Sequence, residues 1–321
     1  MNKHRKRYSA SCAISEIACV NLGGFDQRIA LEGKRADAPV VLFLHGGPGF
    51  PPPFCVGARG LFPDITDRFI AVYWDQYGSG INHAKIDDSF TTAHFVAMTE
   101  DLLAYLKRRF PTQKLYLFAI SWGSALAAYA ARSAPDLLDG VCAAGQIVLP
   151  PMLSDKAFEA VARSRAPEKV KRAVAEMANT PQPTEKQIAL LSKTMRKYTA
   201  AYGKKDKKSG VENPMKGISA SRDYRFSDKI ACFVNGYRHN KSLLQELSTI
   251  DLRDTLAGVR VPYHIFGGDG DLVTCVDEAE ELVAAADNRL LTVTVLQGEG
   301  HIPSAAVTKE IFGCLSDMAG I

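Results

Sequence analysis

The chain has 321 residues, 46% of them hydrophobic and 23% charged, and a formal net charge of +4. Such a composition belongs to an ordinary globular protein that can bury a sizeable core, and so small a charge excess gives no reason to expect nucleic acid as a partner. No stretch reaches the roughly 20 apolar residues that a membrane span needs, and the seven scattered cysteines, with no C-x-x-C pair, suit reduced thiols in the cytoplasm.

Residues 1–16 are read as a flexible basic tail. They carry "HRKR" at His4–Arg7, a run expected to be solvated, and lack the apolar segment of a secretory leader. From Ile17 to Gly33 two alternating segments flank "GGFD", which predicts a hairpin. "VVLFLHG" (Val40–Gly46) and "FIAVYWD" (Phe69–Asp75) are unbroken apolar runs, as expected of parallel strands covered on both faces. Phe95–Phe110 has helical apolar spacing, "KLYLFA" reads as the next buried strand, and "GSALAAYAARSAP" as a helix stopped by Pro135. "GVCAAGQIVL" (Gly140–Leu149) returns to strand.

From Pro150 to Leu247 the chain is more polar and helical, with turn punctuation at "NTPQPT" and "KKDKKSGVENP". The strand pattern resumes in "VRVPYHIFGG" and "RLLTVTVLQG", on either side of the acidic helix "VDEAEELVAAA". This alternation predicts an α/β fold with a mostly parallel sheet, an N-terminal antiparallel hairpin and helices on both faces. The core spans 17–149 and 248–321, and the helical insertion 150–247.

Ser121 stands at a corner between predicted strand and predicted helix, in Ala119-Ile120-Ser121-Trp122-Gly123. A serine hydroxyl becomes a nucleophile when a base takes its proton and a tight turn exposes it. Such a turn needs small residues two places before and after, the G-x-S-x-G pattern. The alternative is that Ser121 only caps the helix, a frequent use of serine. "HGGPG" (His45–Gly49), after the first core strand, could bring backbone N–H groups close to substrate; Gly47 and Trp122 are the expected oxyanion donors. His301, in "GEGHIP" after the last strand, is the candidate base, placed where a loop can reach over the strand ends. In "GGDGDLVT" two carboxylates compete to hold that histidine, with the spacing favouring Asp271 over Asp269. His45, Gly46, Tyr77 and Gln146 are further candidates for the substrate pocket, Gln146 equally for a buried structural amide. No histidine or cysteine spacing suggests a metal.

These motifs together resemble the α/β-hydrolase superfamily, and within it the proline iminopeptidase-like branch. That branch is marked by "HGGPG", by a D-Q-R-G-S-G loop, here Asp75-Gln76-Tyr77-Gly78-Ser79-Gly80, and by a Ser-Trp-Gly elbow. The chain order Ser, Asp, His is also that of the superfamily. The resemblance implies a serine hydrolase with Ser121 as nucleophile, His301 as base and then acid, and Asp271 as its orienter. It implies no cofactor, and makes the insertion a cap that shapes the pocket for a small molecule or short peptide.

Two departures bear on the substrate. Tyr77 replaces the usual arginine, and the cap lacks the branch's Trp-Glu element, since both tryptophans, Trp74 and Trp122, lie in the core. Glu159, Glu168, Glu176, Glu185, Glu212 and Glu246 are available in the cap, most beside Lys or Arg at helical spacing. Tyr224, Phe226, Phe233 and Tyr237 either line a pocket or pack the cap on the core. An aminopeptidase, a carboxylesterase or lactonase, and a non-catalytic receptor reusing the fold are the readings carried forward.

Overall fold

The computed structural model describes residues 3–180, 182–203, 218–234, 237 and 240–321. Helix α1 (Lys3–Ser11) precedes β1 (Ile14–Leu22) and β2 (Phe25–Gly33), followed by β3 (Val40–Leu44), α2 (Pro63–Thr66), β4 (Ile70–Trp74) and α3 (Thr92–Arg109). Then come β5 (Leu115–Ile120), α4 (Trp122–Ser133) and β6 (Gly140–Ala144). The insertion holds α5 (Asp155–Arg163), α6 (Glu168–Ala175), α7 (Glu185–Tyr198), α8 (Phe226–Ala231) and α9 (Lys241–Ser248), with no strand among its described residues. After α10 (Arg253–Ala257) the core resumes with β7 (Tyr263–Gly268), α11 (Val276–Ala285), β8 (Leu291–Leu296) and α12 (Ala305–Ala319).

Among the described residues eight strands form one sheet in the order β1-β2-β4-β3-β5-β6-β7-β8. β1 and β2 pair antiparallel around the two-residue turn Gly23-Gly24, both with positive φ (57° and 84°), the conformation a type I′ hairpin requires. β2 joins β4 antiparallel, and from there to β8 every pairing is parallel. β3, β4 and β6 are buried along their whole length because helices cover both faces. In β3, Val40, Leu42 and Leu44 face α3 and α4, while Val41 and Phe43 face Phe312 and Leu315 of α12, as the two-residue period of a strand dictates.

The sequence reading and the structure differ in two places. The strand read as Gly140–Leu149 stops at Ala144, because Gly145 turns with φ 60° and the apolar run Ile147-Val148 leads instead into the insertion. The segment read as a flexible tail carries α1, with β1 starting at Ile14. The Tyr8 hydroxyl bonds the Thr66 hydroxyl (2.6 Å) and Asp67 (2.7 Å), and Ser9 donates to the buried Glu32 (2.7 Å).

Part of the insertion has its own small core, Ala157, Val161, Val174, Met177, Leu191 and Met195, which closes on Leu272 and Val273 beside Asp271. The described residues at 218–234 and 237 reach the loops after β3 and β4. Tyr224 donates to the buried Asp75 (2.5 Å), Arg59 pairs with Asp223, and Tyr237 donates to the Tyr77 carbonyl (2.7 Å). Tyr224 and Tyr237 therefore pack cap on core, whereas Phe226 points to solvent and Phe233 stands against Phe50, centroids 5.8 Å apart. The "KKDKKSGVENP" punctuation and Glu212 lie outside the described residues. No helix among the described residues is long and apolar enough to cross a membrane.

Candidate active site

β5 ends in Ile120 and α4 begins at Trp122, so Ser121 alone makes the corner, with φ 52° and ψ −122°. Positive φ is costly for a residue with a side chain and is found where surrounding structure enforces it. Here the Ser121 N–H donates to Ala144 O (3.0 Å), Ser124 N–H donates back to Ser121 O (2.7 Å), and Gly123 lies flat against the end of β3. Ser121 occupies the N-cap position but its side chain makes no capping bond. The hydroxyl is instead 3.0 Å from His301 Nε2.

His301 Nδ1 lies 2.9 Å from Asp271 Oδ2. The carboxylate can only accept, so the proton sits on Nδ1 and leaves the Nε2 lone pair facing the Ser121 hydroxyl. Asp271 is buried and held by three further donors: the N–H groups of Val273 (2.7 Å) and Thr274 (3.0 Å) on Oδ1, and the Thr274 hydroxyl on Oδ2 (2.7 Å). Asp269 takes the Gly298 N–H (2.8 Å) and serves the turn. Gly145, with φ 60°, leaves the room that the imidazole occupies, since a Cβ there would stand 3.2 Å from His301 Cε1 and Nδ1. The cap touches this loop directly: His301 N–H donates to Ala201 O (2.8 Å), and the Tyr202 ring stands edge-on to the imidazole.

The glycine loop comes in from the other side. A Cβ built on Gly46 would lie 3.8 Å from Ser121 Oγ, which sets the Gly46-Gly47 backbone next to the hydroxyl. Trp122 N–H opens α4 and so has no acceptor within the helix.

Three of the pocket candidates have other work. His45 is 2% exposed, and its Nε2 accepts the Gln76 N–H (2.9 Å) while Nδ1–H donates to Gly46 O (2.9 Å). Gln146 is also buried, donating to Ile147 O (2.7 Å) and accepting from the Tyr263 hydroxyl (2.6 Å), the structural amide of its two readings. Tyr77 packs in a cluster of three rings with Phe25 (4.5 Å, tilted) and Phe90 (5.4 Å, stacked). Gln76, Thr274 and Gly145 were not singled out by sequence. Gln76 could have been, as it sits inside the quoted Asp75–Gly80 loop.

Burial without a countercharge pushes His45 down to about 4 and Asp75 up to about 6. For His45 the folded protein binds the proton more weakly than the unfolded chain, so its contribution is complete above pH 6.5 and is lost as pH falls through about 4, about 3 kcal/mol in all. Asp75 runs oppositely, its share falling as pH rises from about 4 to 6. Because Asp75 is common to both proteins, the difference in unfolding free energy between wild type and His45→Gln isolates the histidine. Urea melts should show that difference shrinking between pH 6.5 and pH 4; a constant gap would contradict a buried neutral imidazole.

Comparison with known proteins agrees with this architecture. The family model described as alpha/beta hydrolase fold matches residues 39–304. A probable aminopeptidase, YbaC of Bacillus subtilis (strain 168), is 35% identical over 134 residues, which are 41% of this chain and only 41% of that protein. The proline iminopeptidase of Mycobacterium smegmatis superposes with a TM-score of 0.64 at 15% identity, covering 95% of this chain and 98% of the other. The carboxylesterase CesB (YbfK) of Bacillus subtilis does so with 0.61 at 14% identity, covering 99% and 97%. With strand order, crossovers and a family match over most of its length in agreement, the chain belongs to the α/β-hydrolase fold family.

Proposed function

We propose that the protein is a serine hydrolase that cleaves a small amide or ester through an acyl-enzyme. The observation that carries the reading is the continuous hydrogen-bonded line from Ser121 Oγ through His301 to Asp271, at 3.0 and 2.9 Å. Ser121 Oγ attacks the substrate carbonyl carbon while His301 Nε2 takes its proton. Asp271 holds the imidazole in the required tautomer and stabilises the imidazolium that forms. The negative oxygen of the tetrahedral adduct is met by the N–H groups of Gly47 and Trp122, each worth roughly 10²- to 10³-fold in rate. His301 returns the proton to the departing amine or alcohol. Water then repeats the sequence against the Ser121 ester, releasing the acid and restoring the hydroxyl.

The most concrete form is a proline iminopeptidase-like aminopeptidase, which the YbaC likeness favours within its limited span. A carboxylesterase is the second reading, and specific features favour it. Among the described cap glutamates, Glu159 pairs with Arg163, Glu168 with Lys171, and Glu246 accepts the Thr92 N–H (2.7 Å), so these three are already engaged. Exposed apolar side chains follow both motifs in the chain, Phe50 after the glycine loop and Ile302 after His301. The test is a panel of L-prolyl and L-alanyl arylamides beside short and medium nitrophenyl esters. Arylamide turnover that requires the free amino group establishes the first form; ester turnover alone establishes the second. Absence of turnover on every member would leave a hydrolase of narrower specificity or a receptor.

A further inference from the structure

Between the glycine loop and the serine elbow lies a buried amide that the chemistry above does not use. Gln76 is fully buried, in the loop after β4. Its Oε1 accepts the indole N–H of Trp122 (2.9 Å), and its Nε2 donates to the carbonyl of His45 (3.1 Å). Its own N–H donates to His45 Nε2 (2.9 Å), and its carbonyl accepts both the N–H (3.0 Å) and the hydroxyl (2.8 Å) of Ser79. The orientation of the amide is unambiguous, since an indole N–H can only donate and a carbonyl can only accept. His45 extends the line by donating to Gly46 O (2.9 Å), which also takes the Phe50 N–H (3.1 Å).

We propose that Gln76 is a positioning residue that sets the separation of the two oxyanion donors, by tying the side chain of Trp122 to the backbone that carries Gly47. This rests on the serine-hydrolase reading given above. The β3–β5 ladder ends at the pair Leu44–Ala119, whereas Gly47 lies three residues further along the glycine loop and the Trp122 N–H opens α4, so strand pairing does not reach the two donors themselves. An oxyanion hole works because its dipoles are already in place when charge develops, and a donor displaced by a fraction of an ångström loses much of its effect. Gln76 spans the gap with one neutral side chain, in a dry environment where each bond is costly to leave unmade.

Gln76→Met keeps length and bulk but leaves both the indole N–H and the His45 carbonyl unpaired. Measured on whichever nitrophenyl ester the wild type hydrolyses fastest, it should lower kcat by roughly 10- to 100-fold, a fraction of the loss of one donor, with KM nearly unchanged. A trifluoromethyl ketone carrying the same acyl group forms a tetrahedral adduct whose oxygen occupies the hole, so its inhibition constant should rise in step with the fall in kcat. The acid limb of the kcat/KM pH profile should stay where it is in the wild type.

Trp122→Phe removes the other end of the same bond while keeping an aromatic ring, and decides the matter if Gln76→Met is not recovered folded. The proposal is overturned if kcat falls while ketone affinity holds, if KM rises in parallel with the loss of kcat, if the acid limb moves, or if neither variant changes turnover. Wild type that turns over no ester or amide would overturn the underlying reading first, a failure visible before any variant is made.

Discussion

Ser121→Ala should lose nearly all turnover, by roughly 10⁴- to 10⁶-fold in kcat, while melting at a temperature close to that of the wild type. Both halves of the expectation come from the same geometry. The hydroxyl makes no capping bond to α4, so its removal does not weaken the helix; its side-chain contact is with His301 Nε2 at 3.0 Å. His301→Ala should cost about as much, and the double variant little more than either alone, because groups that act as a unit are not additive. Steady-state rates together with thermal melts check this. A serine variant retaining a tenth of the activity, or a double variant losing the product of the two single effects, would mean that Ser121 and His301 do not act together.

Gly123→Ala should be severely damaging for a single added methyl group. A Cβ there would meet the Leu44 carbonyl carbon at 2.5 Å and His45 O at 2.8 Å, and these are backbone atoms at the end of the central strand β3. Neither can give way without breaking the β3–β5 ladder or moving the glycine loop, so the strain has no inexpensive outlet. A loss of several kcal/mol is expected, about the upper range for a point substitution, seen as a collapsed urea midpoint or as failure to accumulate in soluble form. Gly313→Ala in α12 is the control. No atom lies within 4 Å of its Cβ position, and removing a glycine from a helix interior should stabilise by up to about 1 kcal/mol. Equal effects at the two glycines would contradict the close packing of the elbow on β3.

The features legible in the sequence were those whose chemistry is local. A small-residue frame around Ser121, a run of glycines after the first core strand, and unbroken apolar strands each announce themselves within a few residues. Long-range pairing left less trace. Ile147 and Val148 extend an apolar run and so read as strand, yet they are buried at the entrance to the insertion, where Ile147 N–H donates to the Ser124 hydroxyl (3.0 Å) and Val148 O accepts the Leu252 N–H (2.8 Å). Helix α1 has no apolar periodicity, and docks through the hydroxyls of Tyr8 and Ser9 onto partners more than twenty residues away. His45 and Tyr77 stand in the motifs that suggest a pocket, and Gln146 reads equally as a structural amide; in the structure His45 and Gln146 hold buried polar bonds and Tyr77 packs against two rings. Conversely, Gln76 matters through a bond to a residue 46 positions distant, which no spacing rule reveals.

Reaction with a fluorophosphonate, followed by intact mass and peptide mapping, tests the central claim most directly. The account predicts a single adduct, on the peptide containing Ser121, formed at full stoichiometry in the wild type, absent in Ser121→Ala and slowed by orders of magnitude in His301→Ala. Hydrolysis of the substrate panel without an adduct on Ser121, or with the label on another residue, would contradict it.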